Sequence, residues 1–499
     1  ILAKCTSTGG LDWVVYHKGN NGGTNPEDYH LNLNLNNALS TSAYWSDTAP
    51  TSSSFTIGAS SRINGDTKTY VAYVFADNST EATKKQMIRC GTFSKAGGVN
   101  PIVDLGWEPQ WLLVKRAESG QTGDWDIFDS SRRFLSGSSG TKTLKAETDN
   151  AEETYNFNVT STGFEDTGST GDTTATYIYC AIRAPMMKEP TAGTDVYNAV
   201  ERTGTNSAAT VVVNFAPDLV INRRNDDGEN GDAETWDRLR GRPAMISTNS
   251  VSAETLYGNA NQDLVSFNST GISLGLGTYA QINYLNRQNI IWFFKRAKGF
   301  FDIVCYTGNA TAGRTVSHNL GAKPQLILAK TRDAANYWIT YDETSGATKR
   351  MRLDDGGGSI ASIDHWNNTE PTSSVITLGD GNYTNRNSTK QIMYMFASVE
   401  GVSKVGTYTG TGAQQTIDCG FSNGARFVLT KCTSQSGEWM VHDTTRGIVS
   451  GNDKRLTWST TNPQVGSSDE IDPHSSGFIL DTQGDMNLSG RTYIFLAIA

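Results

Sequence analysis

Charge is scarce in this 499-residue chain: Asp, Glu, Lys and Arg together make 19%, and 42 basic against 51 acidic residues leave a net charge of −9. That balance lacks the broad positive footprint that nucleic-acid phosphates require, so neither DNA nor RNA is an expected partner. Apolar runs are short as well. The longest, 289–294, is the length of a strand and far from the ~18 residues of a membrane-crossing helix, so membrane insertion is not expected. No stretch carries a sustained helical period, and the Ala, Glu, Lys, Leu and Arg excess of a coiled coil is missing. The six cysteines (Cys5, Cys90, Cys180, Cys305, Cys419 and Cys432) contain no Cys-x-x-Cys pair, and the six histidines show no i, i+4 spacing near them. A transition-metal site is therefore unsupported, and the cysteines read as free thiols of a protein assembled in a reducing compartment. Gly140-Thr141-Lys142-Thr143 only approximates a phosphate-binding loop, so no cofactor is expected.

What the chain does contain is itself, five times over. A short apolar strand with a basic residue beside it occurs as Ile1-Leu2-Ala3-Lys4, Leu112-Leu113-Val114-Lys115, Leu219-Val220-Ile221 before Asn222-Arg223, Ile327-Leu328-Ala329-Lys330 and Phe427-Val428-Leu429-Thr430-Lys431. Each leads to an anchor tryptophan: Trp13, Trp125, Trp236, Trp338 and Trp439, separated by 112, 111, 102 and 101 residues. A closing apolar strand keeps the same beat at 70–76, 177–182, 290–294, 392–397 and 493–498. Alternation in Tyr177-Ile178-Tyr179-Cys180-Ala181-Ile182, 48 aromatic residues, and Gly, Asn, Ser and Thr punctuation favour strands throughout.

The predicted fold is all-β: five tandem β-sandwich-like repeats of about 100 residues, because open sheets would leave long edges exposed. Their expected boundaries are 1–88, 89–188, 189–300, 301–400 and 401–499. Strung beads are the expected arrangement. Segments such as Tyr306-Thr307-Gly308 with Val316-Ser317-His318-Asn319-Leu320-Gly321 read as a leading hairpin in repeats 2 to 5. Repeat 1 starts directly at its anchor, so an upstream segment is expected to be missing, unless another subunit supplies the strand.

The candidate residues follow from recurrence. The anchor tryptophans read as core plugs. A second series, Trp45, Trp366 and Trp458, stands in Trp-x-x-Thr-x-Pro three times and is absent from repeats 2 and 3. It is the expected binding set, contacting glycan or protein from a Pro-containing loop, which would make repeats 2 and 3 spacers. Asp129, Asp342 and Asp443 follow their tryptophans by four residues, and the anchor lysines are expected to pair with them. Repeat 3 shifts this pattern to Arg240-Gly241, which argues against catalysis by the aspartate. Other groupings carry little. Gly271-Ile272-Ser273-Leu274-Gly275 matches a nucleophile elbow but occupies a strand of the repeat. Asn225–Asp232 fails the ligand spacing of an EF-hand loop. Asp354-Asp355 and Asp469-Glu470 with Asp472 cannot be paired across a cleft from sequence. No catalytic residue is assigned.

The phrase Tyr306-Thr307-Gly308-Asn309 through Thr315-Val316-Ser317-His318-Asn319-Leu320-Gly321 to Pro324-Gln325-Leu326-Ile327-Leu328-Ala329-Lys330 resembles repeats of marine-phage and cyanophage virion proteins. So do 405–412, Trp439 with Asp443-Thr444-Thr445-Arg446-Gly447, and 493–498. The resemblance covers essentially the entire chain, is strongest in repeats 4 and 5, and carries no receptor residue with it. It implies a tail-fibre-like structural protein of the virion, assembled in the host cytoplasm. Its implied partners are other virion proteins, further copies of itself, with a homotrimer favoured, and a host-surface glycan. Multivalent attachment is the implied role. A capsid decoration or fibre-base protein, a polysaccharide-degrading tailspike and a secreted cellular adhesin are the alternatives.

Overall fold

A computed structural model describes every residue except 79–85, 98–99, 133, 135–140, 156, 169–173, 227, 258–260 and 483. The chain forms two compact units, Ile1–Met186 with repeats 1 and 2 and Met187–Ala499 with repeats 3 to 5. Strands dominate, as expected, and all the pairings between them are antiparallel. Repeat 4 shows the plan. Its large sheet runs Phe301–Thr307, Lys390–Phe396, Leu326–Thr331, Ile339–Asp342, Lys349–Arg352 and Ile360–Ala361, and Arg314–Ser317 pairs with Val375–Leu378 in a second, small layer. Repeats 2, 3 and 5 keep the same six-stranded order, while repeat 1 has five strands. The expected leading hairpin is therefore not a hairpin. Its two arms part, one joining each layer, because the first pairs with the closing strand and not with its own successor.

In repeats 3 to 5 the large sheet is buried on both faces. In repeat 4, Ile327, Tyr341, Met393 and Met395 face the small layer and form the repeat's own sandwich core. Leu326, Leu328, Ile392, Tyr394 and Phe396 point the other way. This is why Leu326–Thr331 and Phe427–Cys432 read as unbroken apolar runs and not as alternating ones. The opposite faces of repeats 3, 4 and 5 meet in a single cluster that includes Trp292, Phe294, Phe301, Trp338, Phe396, Phe427, Trp439 and Trp458. The bead picture fails here: three repeats share one core.

The contacts close into a cycle. Trp338 Nε1 donates to Ser247 O at 2.9 Å, seating repeat 4 on repeat 3, and Trp439 Nε1 donates to Arg352 O at 2.8 Å, seating repeat 5 on repeat 4. Repeat 3 returns to repeat 5 through Trp292 Nε1 to Asp443 Oδ2 at 3.0 Å and Thr248 Oγ1 to Trp458 O at 2.6 Å. Met187–Ala499 is thus a ring of three repeats. Phe294 lies at its centre, 5.8 Å from Phe396 and 5.6 Å from Phe427 between ring centroids. Phe294→Ala is expected to cost about 3–5 kcal/mol and to speed amide exchange in repeats 4 and 5 as well as in repeat 3. Exchange that rose only within repeat 3 would mean independent folding.

Candidate functional site

The anchor tryptophans Trp125, Trp338 and Trp439 are buried, but they fasten neighbouring repeats more than they plug their own sandwich. Each indole N–H reaches a backbone carbonyl of the preceding repeat: Asn32, Ser247 and Arg352. Trp13 is half-buried and stacks on Tyr73, as Trp338 stacks on Tyr394. Trp236 does not belong to this set. Strand register places Ala233 where the others have tryptophan, and Trp236 matches Tyr341 and His442, in its own sandwich core. With that shift corrected, Asp237 aligns with Asp342 and Asp443, so repeat 3 keeps the aspartate after all.

Nor does the second tryptophan series form a binding surface. Trp45, Trp366 and Trp458 are 1%, 0% and 0% exposed, so no sugar ring reaches them. Trp458 is moreover not the counterpart of Trp366. Leu353 N donates to Trp338 O and Trp458 N donates to Trp439 O, which aligns Trp458 with Leu353, while Trp366 follows the next strand and packs beside Tyr341.

The recurring polar residues are structural. Lys330 Nζ donates to Val251 O and Lys431 Nζ to Gly356 O, both at 2.9 Å, and Arg223 makes the matching bond to Asn462 O at 2.5 Å, so each crosses to the neighbouring repeat. The expected Lys–Asp pair does not form. Asp443 and Asp237 are instead bound by Arg446 and Arg240, three residues on, with all four side chains buried, and Asp129 pairs in the same way with Arg132. Asp443→Ala leaves Arg446 buried without its partner and is expected to cost about 3–5 kcal/mol by urea denaturation. Burial pulls Lys115, Lys330 and Lys431 each down to about 8. Unfolded lysine titrates near ~10.4, so between these values the unfolded chain holds more protons and stability rises with pH. Relative to the parent, Lys330→Met with Lys431→Met is expected to shift the slope of the urea midpoint of Met187–Ala499 against pH downward between pH 8 and 10, because the lysine contribution to stability, which rises with pH, is removed.

One group of exposed apolar side chains lies in repeat 3. Tyr279, Tyr284, Leu276 and Leu285 are exposed on the segment that follows the strand Gly271–Leu274, and Tyr279 stacks on Tyr257 with centroids 5.1 Å apart. The segment is pinned from below. Asp263 accepts from the N–H groups of Thr278, Tyr279 and Ala280 at 3.2–3.3 Å, Asn206 Oδ1 accepts from Gly277 N at 2.9 Å, and Tyr284 donates to Thr278 O at 2.8 Å. Buried Glu234 accepts from Gln281 N, and burial pushes its carboxyl up to about 8. A rigid aromatic shelf of this kind stacks against flat apolar faces, including those of sugar rings, with little ordering penalty.

A family profile described as a domain of unknown function, DUF7483, matches residues 1–185 and 192–499. The chain belongs to this family. No curated protein matches it. The two DUF7483 matches part at the boundary between the two units, the first covering two repeats and the second three.

The acidic clusters noted in the sequence are held as follows. Arg352 binds both Asp354 and Asp355. Glu470 is held by Arg455, while Asp469, Asp472 and Asp481 bring carboxylate oxygens within 4.8 Å of one another, half-buried. Asp226 pairs with Arg224, and residue 227 lies outside the described residues, as does Gly140. Gly271–Leu274 is a strand, not an elbow. All six cysteines are free, and Cys90 faces Cys180 across neighbouring strands. Sequence reading missed the buried asparagines Asn283, Asn385 and Asn487, which tie the leading segment of each repeat to its closing loop. Their spacing of 102 residues was the available signal.

Proposed function

We propose that this DUF7483 protein is a structural component of a phage virion, part of a tail fibre or similar appendage, which binds the host surface without catalysing a reaction. The observation that carries this reading is how the recurring residues are employed. Tryptophans, Asp–Arg pairs and buried lysines at the repeat period all hold repeats together, which is the chemistry of a load-transmitting body. The resemblance to virion repeats points the same way. The three-repeat ring also provides within one polypeptide the threefold arrangement that fibres usually obtain from three chains.

Attachment is assigned to the shelf of repeat 3 and not to the buried tryptophans, so repeat 3 is a contact module and not a spacer. Several such weak contacts, multiplied over many copies on a particle, give avidity. In binding of the purified chain to host cells and to their isolated surface polysaccharide, Tyr279→Ala with Tyr284→Ala is expected to weaken the interaction at least about tenfold, ~1.4 kcal/mol, while the variant stays folded, with a cooperative urea transition. A folded parent that binds neither would reject attachment and favour a decoration or fibre-base role.

A further inference from the structure

Repeat 2 departs from repeats 3 to 5 at one register position of its large sheet. The leading strand Ile88–Ala96 pairs along its length with the closing strand Thr174–Arg183, and the register sets Cys90 opposite Cys180. The same position holds an apolar pair in the others: Ala199 with Trp292, Ile303 with Tyr394 and Val405 with Leu496. Those side chains pack in the shared core of the ring. In repeat 2 two thiols stand in their place.

The ladder brings these thiols to the spacing a disulfide needs. Hydrogen-bonded and non-hydrogen-bonded pairs alternate along antiparallel strands. Arg183 N donates to Met87 O at 2.9 Å, so Ala181 and Arg89 form the next hydrogen-bonded pair and Cys180 and Cys90 a non-hydrogen-bonded one. The Cα atoms of such a pair stand about 4.5 Å apart, inside the range of roughly 4.4–6.8 Å that a disulfide spans. The backbone need not move. The Cys180 thiol hydrogen-bonds Cys90, His17 of repeat 1 does so as well, and the two contacts hold Cys90 below the ordinary thiol range. Gly19 N donates to His17 Nδ1 at 3.0 Å and His17 Nε2 lies 2.9 Å from Tyr179 O, which fixes the imidazole in place. The contact with Cys90, together with burial, pushes Cys180 the other way. One sulfur is thus a ready nucleophile and its neighbour keeps its proton.

We infer that Cys90 and Cys180 form an oxidation site, a dithiol that hydrogen peroxide closes into a disulfide across the sheet of repeat 2. The Cys90 thiolate attacks one peroxide oxygen, giving the sulfenic acid and hydroxide. Cys180 then attacks that sulfur, forming the S–S bond, and its proton leaves with the hydroxyl as water. The two sulfurs lose two electrons, and one peroxide becomes two waters once the hydroxide takes up the proton that Cys90 had released. The other cysteines have no such partner. Cys5, Cys305 and Cys432 face Tyr70, Ile392 and Tyr493 across their ladders, and these three and Cys419 are buried, whereas Cys90 and Cys180 are half-buried. The new bond closes a loop around the anchor strand Pro109–Arg116 and around Trp125, whose indole fastens repeat 2 to repeat 1. Oxidation therefore locks the repeat that carries this joint, and a thiol reductant releases it.

The test treats the reduced, folded 499-residue chain with hydrogen peroxide, blocks the remaining thiols with maleimide and maps the digest by mass spectrometry. A peptide pair linked through Cys90 and Cys180, lighter by two hydrogen atoms and separated again by dithiothreitol, is expected to form at least about tenfold faster than Cys305 or Cys419 is oxidised. In urea that preference is expected to disappear, because it comes from the ladder and not from the thiols themselves. Cys180→Ser is expected to abolish the linked peptide and leave Cys90 as a sulfenic acid that dimedone traps. A folded parent whose Cys90 and Cys180 both still take maleimide after peroxide treatment overturns the inference. So does a folded parent in which Cys90 links to other cysteines as readily as to Cys180.

Discussion

The structure of Met187–Ala499 depends on burying both faces of its three six-stranded sheets. One face meets the repeat's own small layer, and the other must find a neighbour or leave a row of large apolar side chains in water. With each fully buried Leu, Ile or Phe contributing roughly 1.5–3 kcal/mol, the second face holds as much stabilisation as the first. That requirement turns a tandem array into a ring. Phe294, Phe396 and Phe427 occupy the same side of three sheets, and each would be exposed if the repeats separated.

A shared apolar core does not set the angle between repeats, because dispersion contacts are non-directional. Directional bonds do. The indole N–H of Trp338 and Trp439 and the ammonium groups of Lys330 and Lys431 each satisfy a carbonyl on the adjoining repeat, at distances that admit one docking geometry. Burying the lysines is unfavourable, which is visible in their lowered pKa. With Arg223 in the matching place, a buried cation bonded to the adjoining repeat recurs at every interface of the closed ring, which is consistent with a role in orientation more than in stability. The Asp443–Arg446 pair works similarly, since Asp443 also accepts from Trp292 of the adjoining repeat.

Much of this was legible in the residues. The period, the strand content and the anchor positions all follow from apolar runs recurring about every 100 residues. The errors came where short motifs were trusted over register. Trp458-x-x-Thr461-x-Pro463 copies the spelling of Trp366-x-x-Thr369-x-Pro371 but follows a different strand, so one side chain enters the ring core and the other a sandwich core. Trp236 sits three residues late because Ala233 takes the anchor position. The exposed tyrosines of repeat 3 carry no such signal, because they belong to one repeat alone and do not recur at the period.

By itself the sequence determined that the protein is built from five β-sheet repeats, since period-two and continuous apolar patterns, aromatic content and turn residues act locally and survive any arrangement of the repeats. Which residues are surface and which are fasteners was decided only by tertiary structure. A tryptophan in a polar, Pro-containing loop looks available for binding until a neighbouring element closes over it, and whether that happens depends on contacts between side chains a hundred or more residues apart.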